Sequence, residues 1–357
     1  MIGKVYLIPA DRSESDETIA GKIEALWKEA GLGACFRPHD LAALKLHVGE
    51  PGKTTFVAPA FAAALVRCVS ASGARPFLTD SAVLYRSPRN NGIDHARVAA
   101  DHGFTIEAVG APFLPADGID GSDEVELPVN GRHFTAVSIA AAAARARSLL
   151  VLSHATGHLG TGFGGALKNL GMGCSSRKAK LRQHFGQEPR IDADLCTGCG
   201  DCAKGCPEDA IEVEKTAAID AERCIGCGAC IARCLEEAVR FDWTISGAEL
   251  QERIVEHAAA LIREKPGRIA YVTSALSITK DCDCLDAPQE PLCEDIGILA
   301  SRDPVAIDAA ALRLIRERTG RTLESMSYPH HDGWAQIRYA EGLGLGRSDA
   351  KIVTLGA

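Results

Sequence analysis

Eight of the chain's fourteen cysteines fall between Cys196 and Cys234, in two runs of identical spacing. The first reads Cys196-x2-Cys199-x2-Cys202-x3-Cys206-Pro207, and the second reads Cys224-x2-Cys227-x2-Cys230-x3-Cys234. Each run is followed by a short β-like stretch, so Cys196–Val213 and Cys224–Arg240 form an internal repeat. Gly198, Gly200, Gly226 and Gly228 lie inside the runs. Glycine permits unusual backbone angles, which suits loops wound closely around a ligand with amide N–H groups aimed inward.

The rest of the chain limits how these thiols can be used. Met1–Ala10 holds one lysine, a β-like run at Val5–Pro9 and then Asp11, which is not the pattern of a secretory leader. No apolar run reaches the roughly 18 residues of a membrane helix. The expectation is a cytoplasmic chain that neither enters a membrane nor binds nucleic acid, since its net charge is −8. In a reducing compartment, cysteines serve as thiols, metal ligands or catalytic groups rather than as a disulfide framework.

The repeated spacing resembles that of two-cluster bacterial ferredoxins, over about 55 residues. The resemblance implies two [4Fe–4S] clusters with crossed ligation. Cys196, Cys199, Cys202 and Cys234 would hold the first cluster, and Cys224, Cys227, Cys230 and Cys206 the second. Pro207 follows Cys206, whereas Leu235 follows Cys234, a departure that touches the turn but no ligand. Structural zinc also uses C-x2-C pairs, but does not call for four cysteines in each of two tandem runs.

Outside residues 189–243 the chain alternates strand-like and helical stretches. Leu41–Val48, Arg75–Thr79, Leu149–Ser153, Arg268–Thr273 and Ile296–Ser301 read as strands. Pro59–Ser72, Ser138–Arg147, Ala248–Arg263 and Pro304–Thr319 read as helices, with Gly73 placed to cap the first and Asp303 to cap the last. The alternation predicts an α/β host domain with a largely parallel sheet. Residues 1–188 and 244–357 form this host, interrupted by a small inserted α+β ferredoxin-like domain at 189–243.

Ser153–Cys174 is the most informative part of the host. It leaves an apolar strand, passes His154 and His158, runs through Gly160, Gly162, Gly164 and Gly165, and reaches Lys168. Strand ends of α/β sheets bind ligands, and a helix start near Gly164 would attract an anion. Gly162, Gly164 and Gly165 are therefore candidate cofactor-binding positions, and His47, His154, His158 and Lys168 candidate catalytic ones. The glycine pattern does not match the dinucleotide fingerprint. Cys282 and Cys284, in Asp281-Cys-Asp-Cys284, could chelate a soft metal. With Cys174 they make a candidate third metal centre.

This loop, Lys45–Gly52, the Asp281–Cys284 run and Asp295–Asp308 together resemble the domain of unknown function family 362, known as uncharacterised Fe–S centre proteins. The likeness spans nearly the whole chain. The His-x3-His loop with Phe163-Gly-Gly and Lys168 is also similar to a loop of nickel-pincer lactate racemases, which implies a small-molecule cofactor on Lys168. The functional expectation is an electron-transfer protein, of reductase type, whose clusters serve a host-domain site and a small-molecule substrate. A redox partner protein would supply the electrons. The alternatives are an electron carrier without its own catalysis and a metal-handling protein built on the third cysteine site.

Overall fold

The computed structural model describes residues 3–184, 189–240, 245 and 247–356. Eight strands form one sheet: β1 (Lys4–Ile8), β2 (Leu41–Lys45), β3 (Arg75–Asp80), β4 (Phe113–Pro115), β5 (Ser148–His154), β6 (Ile269–Ala275), β7 (Gly297–Ser301) and β8 (Lys351–Thr354). Their order is β8-β1-β7-β6-β5-β2-β3-β4. β7 runs antiparallel to both of its neighbours, and every other adjacent pair is parallel.

The central strands are apolar at nearly every position because both faces are covered. In β5, Leu149 and Val151 join one core cluster while Leu150 and Leu152 join the other. The first face packs under Gly247–Glu264, Ala166–Gly171 and Pro304–Thr319. The second face packs under Asp16–Glu29 and Pro59–Ala71. The α/β reading with a largely parallel sheet holds.

Helix Pro304–Thr319 starts as the sequence implies: Asp303 accepts from the Val305 and Ala306 amides at 2.9 Å. One predicted helix is only half a helix. Ala136–Ala140 is a strand paired antiparallel with Glu124–Pro128, and the helix is confined to Ala141–Arg145. Local helix propensity over the alanines gives way to pairing in the first half, where Val137 and Ile139 turn into the main core.

Residues 190–240 lie outside the main sheet. Arg190–Ile191 pairs with Val239–Arg240, and Ile211–Val213 with Ala217–Ile219, both antiparallel. The chain therefore enters and leaves this segment side by side. The segment has a small core of its own around Cys202, Ile211, Ala217, Cys230 and Val239. The expected boundaries fall at residues 188 and 243, which lie outside the described residues.

Candidate functional site

Two pockets open in the cysteine-rich segment. Cys224, Cys227 and Cys230 line the first together with Cys206 from the other run. Cys196, Cys199 and Cys202 line the second together with Cys234. Four sulfurs thus face each cavity, three from one run and one from the other, a donor set that fits a cubane. The four loop glycines all have positive φ, from 64° at Gly226 to 79° at Gly200, a region closed to most side chains. Amides point at the sulfurs: Ala210 N–H donates to Cys206 Sγ and Ala217 N–H to Cys196 Sγ at 3.3 Å, and Ala238 N–H to Cys234 Sγ at 3.2 Å. Such bonds stabilise thiolate and tune a bound cluster.

The cavity holding Cys224, Cys227 and Cys230 is the one pressed against the host. Ile231 packs with Leu84 and Leu181, and Gly228 lies against the Arg177 side chain. Arg177 is buried. Its guanidinium donates to the carbonyls of Asn90 and Asp120, and its Nε has no hydrogen-bond partner among the described residues.

The second constellation sits at the C-terminal ends of the parallel strands, where the chain reverses and backbone groups open to side chains. Lys45 ends β2, Asp80 ends β3 and His154 ends β5. Lys45 Nζ lies 3.1 Å from Asp80 Oδ1 and 2.5 Å from Asn169 Oδ1. Arg89 Nη2 reaches Asp80 Oδ2 at 3.2 Å, while Nη1 reaches Glu50 Oε1 and His47 Nε2, both at 2.9 Å. Tyr85 and Ser87 hydroxyls donate to Glu50 at 2.7 and 2.6 Å. Lys45, Glu50, Asp80 and Arg89 are at most 3% exposed as side chains. Burial works against the Asp80 charge, yet Lys45, His95 and Arg89 hold its carboxyl well below the usual range. Burial and the Arg89 charge keep His47 neutral, far below an ordinary histidine.

His154 is locked rather than free. Its Nδ1 is 2.9 Å from Asp283 Oδ1, and its Nε2 is 2.8 Å from the Leu276 carbonyl. Lys168 is half-buried, and burial followed by the Lys45 charge lowers its pKa to about 8. His158 Nδ1 accepts from the Gly160 and Thr161 amides at 3.1 Å. One ligand atom each of His158, Cys282 and Cys284 lie within 4.8 Å of one another.

The expectations for Cys174 and for the glycine loop need correction. Cys282 and Cys284 are joined as a disulfide. Cys174 does not meet them; it lies in the main apolar core, and burial pushes its thiol up to about 11. The helix start after the glycine loop is occupied, but by the protein's own carboxyl group, whose pKa burial raises to about 7. Asp308 accepts from the Ala166 and Leu167 amides at 2.7 and 2.9 Å. The room left by the glycines is likewise taken. A side chain at Gly165 would strike Asp308 and Phe163, one at Gly162 would strike His331, and one at Gly164 would crowd Thr156.

A family model described as "Domain of unknown function (DUF362)" matches residues 42–313. The chain belongs to the DUF362 family. Among curated proteins no match was found. The lactate racemase apoprotein from Thermoanaerobacterium thermosaccharolyticum is similar at 11% identity and a TM-score of 0.45, over 88% of this chain and 57% of that one. A Thermotoga maritima crystal structure is similar at 12% identity and a TM-score of 0.45, over 89% of this chain and 60% of that one. The DUF362 chain thus spans under two thirds of either structure's length.

Within the DUF362 segment, the His154–Asp283 pair makes a pH prediction. Burial opposes the charge of Asp283, but His154 and then Lys53 hold its pKa at about 2, below the ordinary 3.8. Burial likewise opposes the charged His154, yet Asp283 and the Leu276 carbonyl hold it above the ordinary 6.5. The Asp283 contribution is lost as pH falls below 3.8 towards 2, and the His154 contribution as pH rises from 6.5 through the raised value. Asp283→Asn is therefore expected to cost most, about 2 kcal/mol, between these limits. Urea midpoints of both proteins across pH check this. A constant difference would detach the pair from stability.

Proposed function

We propose that this DUF362 protein is an electron-transfer protein that holds two [4Fe–4S] clusters. Cys196, Cys199, Cys202 and Cys234 hold one; Cys224, Cys227, Cys230 and Cys206 hold the other. The observation that carries the reading is the crossed set of four sulfurs around each cavity. The clusters supply one-electron transfer at potentials set by charge, hydrogen bonds to sulfur and exposure.

The two cavities differ in their surroundings, and this suggests a direction. Cys199 is exposed, and Leu195 and Leu235 stand exposed at 38% and 74% beside their cysteines, whereas the other cavity has Ile225 at 39% and no exposed cysteine. That apolar rim suits brief docking of a redox partner. The other cavity faces Arg177 and the host domain, so electrons enter at the exposed end and leave toward the strand ends. A cationic guanidinium beside this second site favours its reduced, more negative form. A second reading, a carrier without catalysis of its own, draws support from the strand ends. They are filled by Lys45, Asp80, Glu50 and Arg89 rather than left open.

The test is iron and acid-labile sulfide on protein purified without oxygen. About eight of each per chain is expected. Stoichiometric zinc without sulfide would end the cluster reading.

A further inference from the structure

The loop at residues 276–292 carries groups that the cluster reading does not use. It is pinned at several points. Ser277 N–H donates to Asp295 at 2.6 Å, Leu292 N–H to the Ile278 carbonyl at 2.7 Å, and Gly157 N–H to the Thr279 carbonyl at 2.8 Å. Gly157 has no room for a side chain because the Lys280 carbonyl occupies that space. The loop therefore holds the Cys282–Cys284 disulfide against the His158 strand.

Two features make this disulfide more than a staple. It closes a ring over a single residue, Asp283, so the entropy it removes from an unfolded chain is small. That one residue is also the anchor of the strand-end site. The Asp283 carboxylate holds His154 at 2.9 Å, and its carbonyl accepts from the Glu50 amide at 3.0 Å. Opening or closing the S–S bond changes the constraint on the residue that ties His154 to Glu50.

His158 decides between a metal and redox chemistry. A ligating histidine donates its other N–H to an acceptor. Here Nδ1 faces the Gly160 and Thr161 amide donors at 3.1 Å and the Thr161 hydroxyl at 2.9 Å; with two amide N–H groups aimed at it, Nδ1 is the acceptor and the ring keeps its proton on Nε2. Metal at Nε2 would require removal of the ring's only proton. Nε2–H is instead suited to donate to sulfur. Lys168, His184 and His331 are the titratable neighbours of this ring, and Lys53 is the cation nearest Asp281 and Asp283.

We propose that Cys282 and Cys284 are a redox-active disulfide, with His158 Nε2–H as the hydrogen-bond donor to the sulfur that leaves when the bond opens. The S–S bond takes up two electrons and breaks. One sulfur remains a thiolate held by His158, and the other takes a proton from water. The electrons come from a low-potential one-electron donor acting twice, and in this respect the inference rests on the two-cluster reading. The disulfide is then the terminal acceptor in the host domain.

The full chain, prepared without oxygen, is equilibrated in glutathione and then dithiothreitol buffers of graded reduced-to-oxidised ratio. It is quenched in acid, denatured and labelled with N-ethylmaleimide, and the peptides are weighed. Cys282 and Cys284 are expected to become labelled together, passing from fully protected to fully labelled within the series. Full labelling at every ratio, or none at any, overturns the proposal. So does a stoichiometric metal that is lost from a Cys282→Ser/Cys284→Ser variant while iron and sulfide stay constant. His158→Phe is expected to slow reduction by dithiothreitol about tenfold or more, the worth of a hydrogen bond to a charged group. His158→Gln is expected to restore much of the rate, and equal rates in all three proteins would remove His158 from the step. Iron and sulfide measured on the same samples separate the two readings. A cycling pair without sulfide sinks the clusters alone, and a locked pair with eight sulfides sinks the disulfide alone.

Discussion

Replacing Cys196 and Cys234 together by alanine is expected to leave about four iron and four sulfide per chain, whereas replacing Cys196 and Cys206 is expected to leave almost none. The two double variants remove the same number of thiols from the same segment. They differ only in which cavity loses them. Cys196 and Cys234 face one cavity, so the other keeps all four sulfurs. Cys196 and Cys206 face different cavities, so each is left with three. If each run held its own cluster instead, the outcomes would be exchanged. Iron and sulfide analysis with electron paramagnetic resonance of the reduced proteins decides. Equal losses in the two variants would mean that the segment folds around both clusters as one unit, and would remove the argument for independent cavities.

This prediction was within reach of the sequence because the chemistry is local. The eight cysteines from Cys196 to Cys234 repeat one spacing in two short runs, and the glycines between them mark the turns. The sheet was readable for a similar reason. Strands covered on both faces must be apolar throughout, as Leu149–Leu152 is, and Asp303-Pro304 marks a helix start from neighbouring residues alone.

The strand-end network was not readable, although signals for part of it existed. Lys45 closes one apolar strand, and Asp80 closes another. Charges at such positions in a parallel sheet point to the cleft at the strand ends. Arg89 and Glu50 carry no such mark, and only the fold brings them to Asp80 and His47. The carboxyl group at the Ala166 helix start comes from Asp308, which is 142 positions away, so no local pattern could identify it. Cys174 shows the reverse error. Its place at the end of a glycine loop suggested a ligand, but the short helix Ala166–Gly171 carries it into the core.

Replacing Arg89 by methionine is expected to destabilise the chain by about 3–5 kcal/mol while leaving iron and sulfide unchanged. Arg89 is 2% exposed and serves two carboxylates, so its loss leaves charge buried without a partner. Asp80 keeps Lys45 at 3.1 Å, which makes Glu50 the more isolated of the two. Tyr85 and Ser87 still donate to Glu50, but neither carries charge. Adding Glu50→Gln to Arg89→Met should therefore recover a large part of the loss, because a neutral amide replaces the stranded carboxylate. Urea midpoints of the full chain, followed by far-ultraviolet circular dichroism without oxygen, measure both steps. A loss below about 1 kcal/mol would mean that water reaches the site and screens it as it does a surface pair. The cysteine-rich segment should keep its iron and sulfide because the sulfurs lie on its own loops and pack around its own small core, with Ile231 and Gly228 touching the host. His47 should not be. Without the guanidinium beside Nε2, the second cause of its lowered pKa is gone, and its titration should move up towards the ordinary 6.5. A stability loss coupled to a histidine shift would place the ion pairs and His47 in one electrostatic unit at the strand ends, facing the disulfide loop through Asp283.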